Sequence, residues 1–267
     1  MKLKGKRIVI TGASSGIGRA LAKEALLRGA YVCVGARNVA ALQELSLQEN
    51  TQHLYFTQLD VTQQNSCEAF VQFAVEKMGG IDVLINNAGI SMRANFAQLD
   101  VSVIEQVMQV NFFGLVYCTR AAMPYLLQSK GTVVGVSSVA GFNGLPGRTG
   151  YAASKFAMHG FLEALRTENL QTGLHVMIAC PGFTESNIRH AALDAHGKAQ
   201  SESPRNEQSM MSAEQVAIII LNGVERRKKQ VIMTLQGKLS YLLSKFAPGI
   251  LRKLTFNHMK SEPNAPF

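Results

Sequence analysis

The chain has 267 residues, 47% of them hydrophobic and 17% charged, a length for one α/β domain or two small ones and a composition that excludes a disordered polypeptide. The net charge is +9, but nine basic residues and one acid fall between Glu225 and Lys260, so the excess belongs to the C-terminal tail. Such a tail suggests either an anionic partner or a solvated charged face. Cys33, Cys67, Cys118 and Cys180 sit singly in apolar segments with no CxxC, the pattern of small buried hydrophobes in a reducing compartment. The six histidines form no HExxH and meet no clustered carboxylates, which leaves a metal site unsupported. The N-terminal apolar run stops after "IVI", too short for a signal-peptide core. No run approaches the ~20 apolar residues of a bilayer span; "VAIIIL" (Val216–Leu221) has the length of a core helix. The expected location is cytoplasmic.

In chain order, short β-branched runs alternate with longer helical patterns. "RIVIT" precedes "GRALAKEALLRG", "YVCVGAR" precedes "VAALQELSLQE", and "LYFTQLDV" precedes "CEAFVQFAVEKMG". "DVLINNAG" then leads into a helix around "IEQVMQVNFFGLVYCTRAAMPYLLQ", "GTVVGVSS" into "YAASKFAMHGFLEALRTENL", and "HVMIACPG" and "QVIMT" complete the series. Nearly continuous apolar strands are buried on both faces, which implies a parallel sheet between helical layers. The expected fold is α/β, a doubly wound parallel sheet of the Rossmann type, in a single domain with a basic amphipathic C-terminal tail. The core domain is assigned to residues 1–235 and the extension to 236–267. The polar stretch "HGKAQSESPRNEQS" (His196–Ser209) follows a strand end, where open α/β sheets bind ligands, and reads as part of a lid over about 183–212 or as a bare disordered loop.

The turn after the first strand, with Gly12, Ser14, Ser15, Gly16, Ile17 and Gly18, has TGxxxGxG spacing. Its glycines allow a tight turn and close backbone approach, and the helix that follows offers free N–H groups to a pyrophosphate. At the end of the second strand stand Ala36 and Arg37, with no carboxylate to accept from a ribose 2′-OH. An arginine there accommodates a 2′-phosphate, so NADP(H) is expected over NAD(H). Ser15 occupies the place before Gly16 where a basic side chain would strengthen that reading.

Tyr151 and Lys155 in "YAASK" lie one helical turn apart and project from one face. Tyr241 and Lys245 in "YLLSK" have the same spacing, so spacing alone does not make a site. "TGASSGIG", "LDV", "NNAG", "VNFFG", "VSSVAG", "YAASK" and "CPGF" together, in this order and spacing, resemble the short-chain dehydrogenase/reductase family from about residue 5 to 235. The placing of Tyr151 13 residues after Ser138 distinguishes the first Tyr/Lys pair from the second, and Ser138 from Ser137.

By that resemblance Tyr151 is the general acid in carbonyl reduction, Lys155 holds the nicotinamide ribose, Ser138 holds the substrate oxygen, and Asn111 carries a water-linked relay toward Lys155. A phenol with a reference pKa of ~10 needs a nearby cation to act as base in the reverse direction, and Lys155 would supply it. The resemblance also implies that Asp60 and Val61 flank the adenine and that Asn87, Ala88 and Gly89 floor the ribose site. Pro181, Gly182, Thr184 and Ser186 fall at the carboxamide contact, where Thr184 and Ser186 depart from the family's usual residues.

The tail and the segment after Pro181 are similar to the dehydrogenase/reductase member 7B-like branch of that family, which implies an acyl or alkyl dihydroxyacetone phosphate as the hydrophobic ketone. A hydroxysteroid or 3-ketosphinganine reductase is the alternative, and a nucleotide sensor or membrane-surface binding protein the non-enzymatic one. Leu239, Leu242, Leu243 and Phe246 form an apolar stripe, Pro248 and Gly249 break it, and Ile250, Leu251 and Leu254 resume it among Lys238, Lys245, Arg252 and Lys253. This hairpin would cover a pocket, rest on an anionic membrane, pack a dimer partner, or be a plain core helix. Homo-oligomers are implied by resemblance alone. Nucleic acid is not an expected partner, since the tail lacks the interleaved aromatics of a single-strand binder.

Overall fold

The computed structural model describes residues 1–49, 51–184, 188–200 and 210–267. The strands are β1 (Arg7–Thr11), β2 (Tyr31–Ala36), β3 (Leu54–Gln58), β4 (Val83–Asn86), β5 (Thr132–Val136), β6 (His175–Cys180) and β7 (Gln230–Ile232). They form a parallel sheet in the order β3-β2-β1-β4-β5-β6-β7. Register is set centrally by Ile10 against both Val34 and Ile85, and by Ile85 against Val134.

The helices are α1 (Gly16–Leu27), α2 (Val39–Glu49), α3 (Gln64–Met78), α4 (Val101–Met108), α5 (Gly114–Ser129), α6 (Thr149–Glu168), α7 (Ala213–Glu225), α8 (Leu235–Phe246) and α9 (Pro248–Lys260). Successive strand residues point to opposite faces, and each face has its own core. Ile8, Ile10, Val32 and Val34 pack with Leu21, Leu42, Val216 and Ile220 of α1, α2 and α7. Val9, Cys33, Leu84 and Val133 pack with Phe70, Leu115 and Leu162 of α3, α5 and α6. Asp82 pins the start of β4 to β1, accepting from Arg7 Nε at 2.7 Å and from the Arg7 amide at 3.0 Å.

Three boundaries differ from the sequence expectation, each for a local reason. β5 ends at Val136, so Ser138 leaves the sheet and accepts from the Ala140 amide at the head of a 3-10 turn, Val139–Gly141. The long helix after β4 is one rod, α4 and α5, joined by a π-helical segment, Gln109–Phe113. By length and composition Val101–Ser129 is long and apolar enough to cross a membrane, with a mean hydropathy of 1.3 over its most apolar window, although polar residues interrupt it throughout. Here the rod packs on α3 and α6. The expected break in the tail falls at Ala247, with Pro248 opening α9.

The strand order reverses between β1 and β4, and the carboxyl ends of the strands open there into a crevice, the place where open α/β sheets take their ligands.

Candidate active site

That crevice is a cleft of about 760 Å³. At its dinucleotide end Gly12 has φ +71°, and a Cβ there would lie 2.8 Å from Ala88 Cα, a backbone atom that cannot move aside. A Cβ on Gly18 would strike the Gly12 carbonyl oxygen and crowd Asn87 Nδ2. Asn87 fixes the turn by donating to the carbonyl oxygens of Thr11 and Gly12, both at 3.0 Å, while Thr11 Oγ1 accepts from the amides of Asn87 and Ala88. Ser15 precedes α1 without a side-chain cap, and the first turn carries no acid. The first-turn amides are thus not capped by a side chain, as a helix terminus serving a phosphate requires.

Gly12, Ser14, Ser15, Gly16, Ile17, Arg37, Asp60, Val61, Asn87, Ala88 and Gly89 all line the cleft, as do Gly182 and Thr184 toward its other end. Arg37 is exposed just past β2. One Asp60 oxygen is engaged by the amide and hydroxyl of Thr62, at 3.0 and 2.8 Å. Gly18 and Pro181 are set back from the cleft lining: Gly18 serves the close packing of α1 on the turn, and Pro181 is buried where the chain leaves β6. Ser186, and most of the stretch from His196 to Ser209 within the expected lid, lie outside the described residues. The described part of that lid is held to the body: Leu193 bridges Met92 and Ala199 and is buried with Val103 and Val107.

Ser138, Tyr151 and Lys155 meet in the same cleft. Burial raises the Tyr151 pKa above the ordinary phenol value, opposed by the neighbouring Ser138 hydroxyl and by the charge of Arg148. Lys155 is 3% exposed, donates to the Val136 carbonyl oxygen at 3.0 Å, and is brought down to about 8 by burial. Its Nζ lies 5.6 Å from the Tyr151 ring centre. The site therefore holds a protonated phenol and a cation near its titration point, the pair needed to exchange a proton with an oxygen.

Asn111 sits in the π segment and is buried rather than lining the cleft. Its side chain accepts from the Ile90 amide at 2.8 Å and donates to the Ile90 carbonyl and to Ser154 Oγ, which in turn donates to the Tyr151 carbonyl. Its amide group is thus committed to fastening the chain after β4 to α6.

The far end of the cleft is lined by Leu145, Arg148, Phe183, Ile188, Arg189 and Ala191. Phe183 ends "CPGF" and, with Ile188, Arg189 and Ala191, falls in the expected lid, but no single residue of this end is assigned from sequence; Leu145 and Arg148 stand in no motif, and Arg148 three residues ahead of Tyr151 is not a recognisable spacing. α8 and α9 close over this side, with Phe142 edge-on to Tyr241 at 5.2 Å and Asn143 donating to Thr255 at 3.0 Å.

Fold and cleft together define a dinucleotide-binding oxidoreductase of the Rossmann type. The sequence pattern described as short chain dehydrogenase matches residues 6–196. Dehydrogenase/reductase SDR family member 7B of Mus musculus is 32% identical, over 97% of this chain and 83% of its own length. The 11-beta-hydroxysteroid dehydrogenase-like 4A of Arabidopsis thaliana is 35% identical, over 94% of this chain and 83% of its own. A short chain dehydrogenase/reductase from Burkholderia phymatum, solved in complex with NAD, superposes with a TM-score of 0.78 at 23% identity, covering 97% of this chain and 94% of that one. The chain belongs to the short-chain dehydrogenase/reductase family and is an oxidoreductase.

Proposed function

We propose that the protein is an NADP(H)-dependent carbonyl reductase acting on a hydrophobic ketone. The observation that carries this reading is the convergence of Ser138, Tyr151 and Lys155 on one cleft with the glycine turn of β1–α1. Bound there, the nicotinamide supplies the hydride. Tyr151 gives its proton to the carbonyl oxygen, Ser138 donates to the charge developing on that oxygen, and Lys155 steadies the phenolate left behind. Arg37, with no acid beside it, supports NADP(H) over NAD(H) through charge-assisted contact with a 2′-phosphate.

The substrate class proposed first is an acyl or alkyl dihydroxyacetone phosphate, supported by the likeness to the member 7B relative and by the apolar and cationic lining of the far end. A hydroxysteroid-type ketone is the second reading, supported by the name of the plant relative. We also propose a homo-oligomer through the α4–α5 rod and α6, where Phe113 of the π segment, Leu127 and Phe156 are exposed.

NADPH oxidation should be followed with phosphorylated lipid ketones, 3-ketosphinganine and ketosteroids, in the wild type and Tyr151→Phe. Turnover that falls in the variant by roughly 10²–10⁴-fold, the worth of a positioned general acid, is expected; turnover indifferent to the substitution contradicts the reading.

A further inference from the structure

Ser137 is the neighbour that the motif spacing passes over in favour of Ser138, yet it lines the same cleft. It is 5% exposed, and its amide extends the β5–β6 ladder by donating to the Ala179 carbonyl at 2.7 Å. Its hydroxyl oxygen lies 2.8 Å from His159 Nε2. His159 stands on α6 four residues after Lys155 and eight after Tyr151, so the three lie along one face of that helix. This face grips the end of β5 residue by residue: Lys155 takes the Val136 carbonyl, His159 takes the Ser137 hydroxyl, and Tyr151 shares the cleft with Ser138.

The contact is built into the turn that follows. A Cβ on Gly141 would strike His159 Nε2 and lie 2.8 Å from Ser137 Oγ, so the turn leaves room for this pair and for no side chain of its own. His159 is half-buried. Burial, with the charges of Lys155 and Arg166 on its own helix and of Lys245 on α8, lowers it from 6.5 to about 4, so the ring is neutral and has one bare nitrogen. Burial pushes the Cys180 thiol up to about 12, so it keeps its proton. Its sulfur accepts from Gln230 Nε2 at 3.8 Å and lies 3.8 Å from His159 Nε2. A hydroxyl and a thiol, both carrying protons, thus converge on Nε2, the arrangement that suits a bare nitrogen there.

We propose that His159 is a positioning residue that draws the Ser137 proton away from the cleft, so that Ser137 presents a hydrogen-bond acceptor to an N–H or O–H donor of the bound ligand. Ser138 is its complement. The Ser138 oxygen accepts from the Ala140 amide at 3.2 Å, which leaves its own proton for the substrate. Two adjacent serines therefore offer the cleft opposite polarity, one receiving and one donating. The donor that Ser137 meets is the carboxamide N–H of the nicotinamide or a hydroxyl of the substrate. Those two ligands come from the carbonyl reductase reading, on which the proposal rests for them, whereas the polarity of Ser137 does not.

Dissociation constants are measured on the full chain by titration calorimetry for NADP⁺ and for its 3-acetylpyridine analogue, in which a methyl replaces the carboxamide nitrogen. Ser137→Ala and His159→Leu should each lower the preference for the carboxamide form about fivefold, the worth of one neutral hydrogen bond. The double variant should lower it no further, since one residue acts through the other. His159→Gln, whose amide oxygen reaches the place of Nε2, should keep the preference. His159→Asn, which falls short of Ser137, serves in place of the leucine if that variant folds poorly. Should the donor be a substrate hydroxyl, the dinucleotide preference stays and the same variants raise KM about fivefold for a hydroxyketone while sparing the matching ketone without the hydroxyl.

Equal weakening of both dinucleotides together with equal KM changes for both ketones would overturn the proposal, as a merely structural role predicts. An effect of His159→Leu undiminished in the Ser137→Ala background would overturn it too. A lost carboxamide preference in a protein that reduces no ketone would uphold the polarity of Ser137 and sink the reductase reading instead.

Discussion

Two residue pairs show what decides chemistry at the scale of single side chains. Lys155 sits 5.6 Å from the ring centre of Tyr151 and Lys245 sits 5.7 Å from that of Tyr241, so the local geometry is the same. Their surroundings differ: the first pair is sunk in the cleft beside Ser138, while Lys245 is exposed on α8. The motif context selected the pair that lies in the cleft, but Arg148 and Glu262, 3.6 Å apart, carry no motif, because their meeting depends on tertiary placement across more than a hundred residues. The pH behaviour follows from the environments. Tyr151, raised by burial, stays protonated through neutrality, and Lys155 loses its charge above about 8. The kcat/KM for carbonyl reduction should therefore hold through neutral pH and decline above about 8; a profile flat to pH 10 would argue against Lys155 as the group that titrates. At the other end of the cleft, Arg37→Asp should lower kcat/KM for NADPH by about 10²-fold or more while sparing NADH, the loss of a charge-assisted phosphate contact turned repulsive.

At the scale of elements, the β1–α1 turn was legible because its demands are steric and local. Gly12→Ala must place a methyl 2.8 Å from Ala88 Cα at φ +71°, and is expected to abolish dinucleotide binding by titration calorimetry before it unfolds the sheet. The π segment was not legible, since Gln109–Phe113 reads as ordinary helix in periodicity and its register shift is set by Asn111 fastening to Ile90 and Ser154. The tail was legible in outline: helix, break, helix. Its burial was not, for Leu239, Leu242, Phe246, Ile250 and Leu254 are all more than half exposed, leaving α8 with Gly237 alone buried. We propose that this basic apolar hairpin rests on an anionic bilayer surface. Co-sedimentation with vesicles containing phosphatidylserine, weakened several-fold by Phe246→Ser and absent with purely zwitterionic vesicles, is the expected result; equal sedimentation with both lipids would deny the charge its part.

Across the whole molecule, the doubly wound sheet could be read from its apolar strand runs because both faces are buried, and the alternation of Ile8, Val9 and Ile10 between two cores shows why. Stability should carry the mark of two histidines held neutral, His175 buried and His159 half-buried. Burial, with the fields of nearby cations, lowers His159 and His175 from 6.5 to about 4. The unfolded chain then binds more protons between these values, so their contribution is complete above pH 6.5 and lost as pH falls through about 4. Urea midpoints should decline over that interval, and His159→Gln with His175→Gln should flatten the decline.

The central claim is that this cleft passes a hydride to a carbonyl with Tyr151 as the acid. The measurement that tests it most directly is single-turnover transfer from NADPH deuterated at the nicotinamide C4, on the transferred face, to a hydrophobic ketone, with the alcohol read by mass spectrometry. The account predicts one deuterium on the carbinol carbon in the wild type and a rate at least about 10²-fold lower in Tyr151→Phe. Equal transfer by the two proteins, or an alcohol without label, would contradict it.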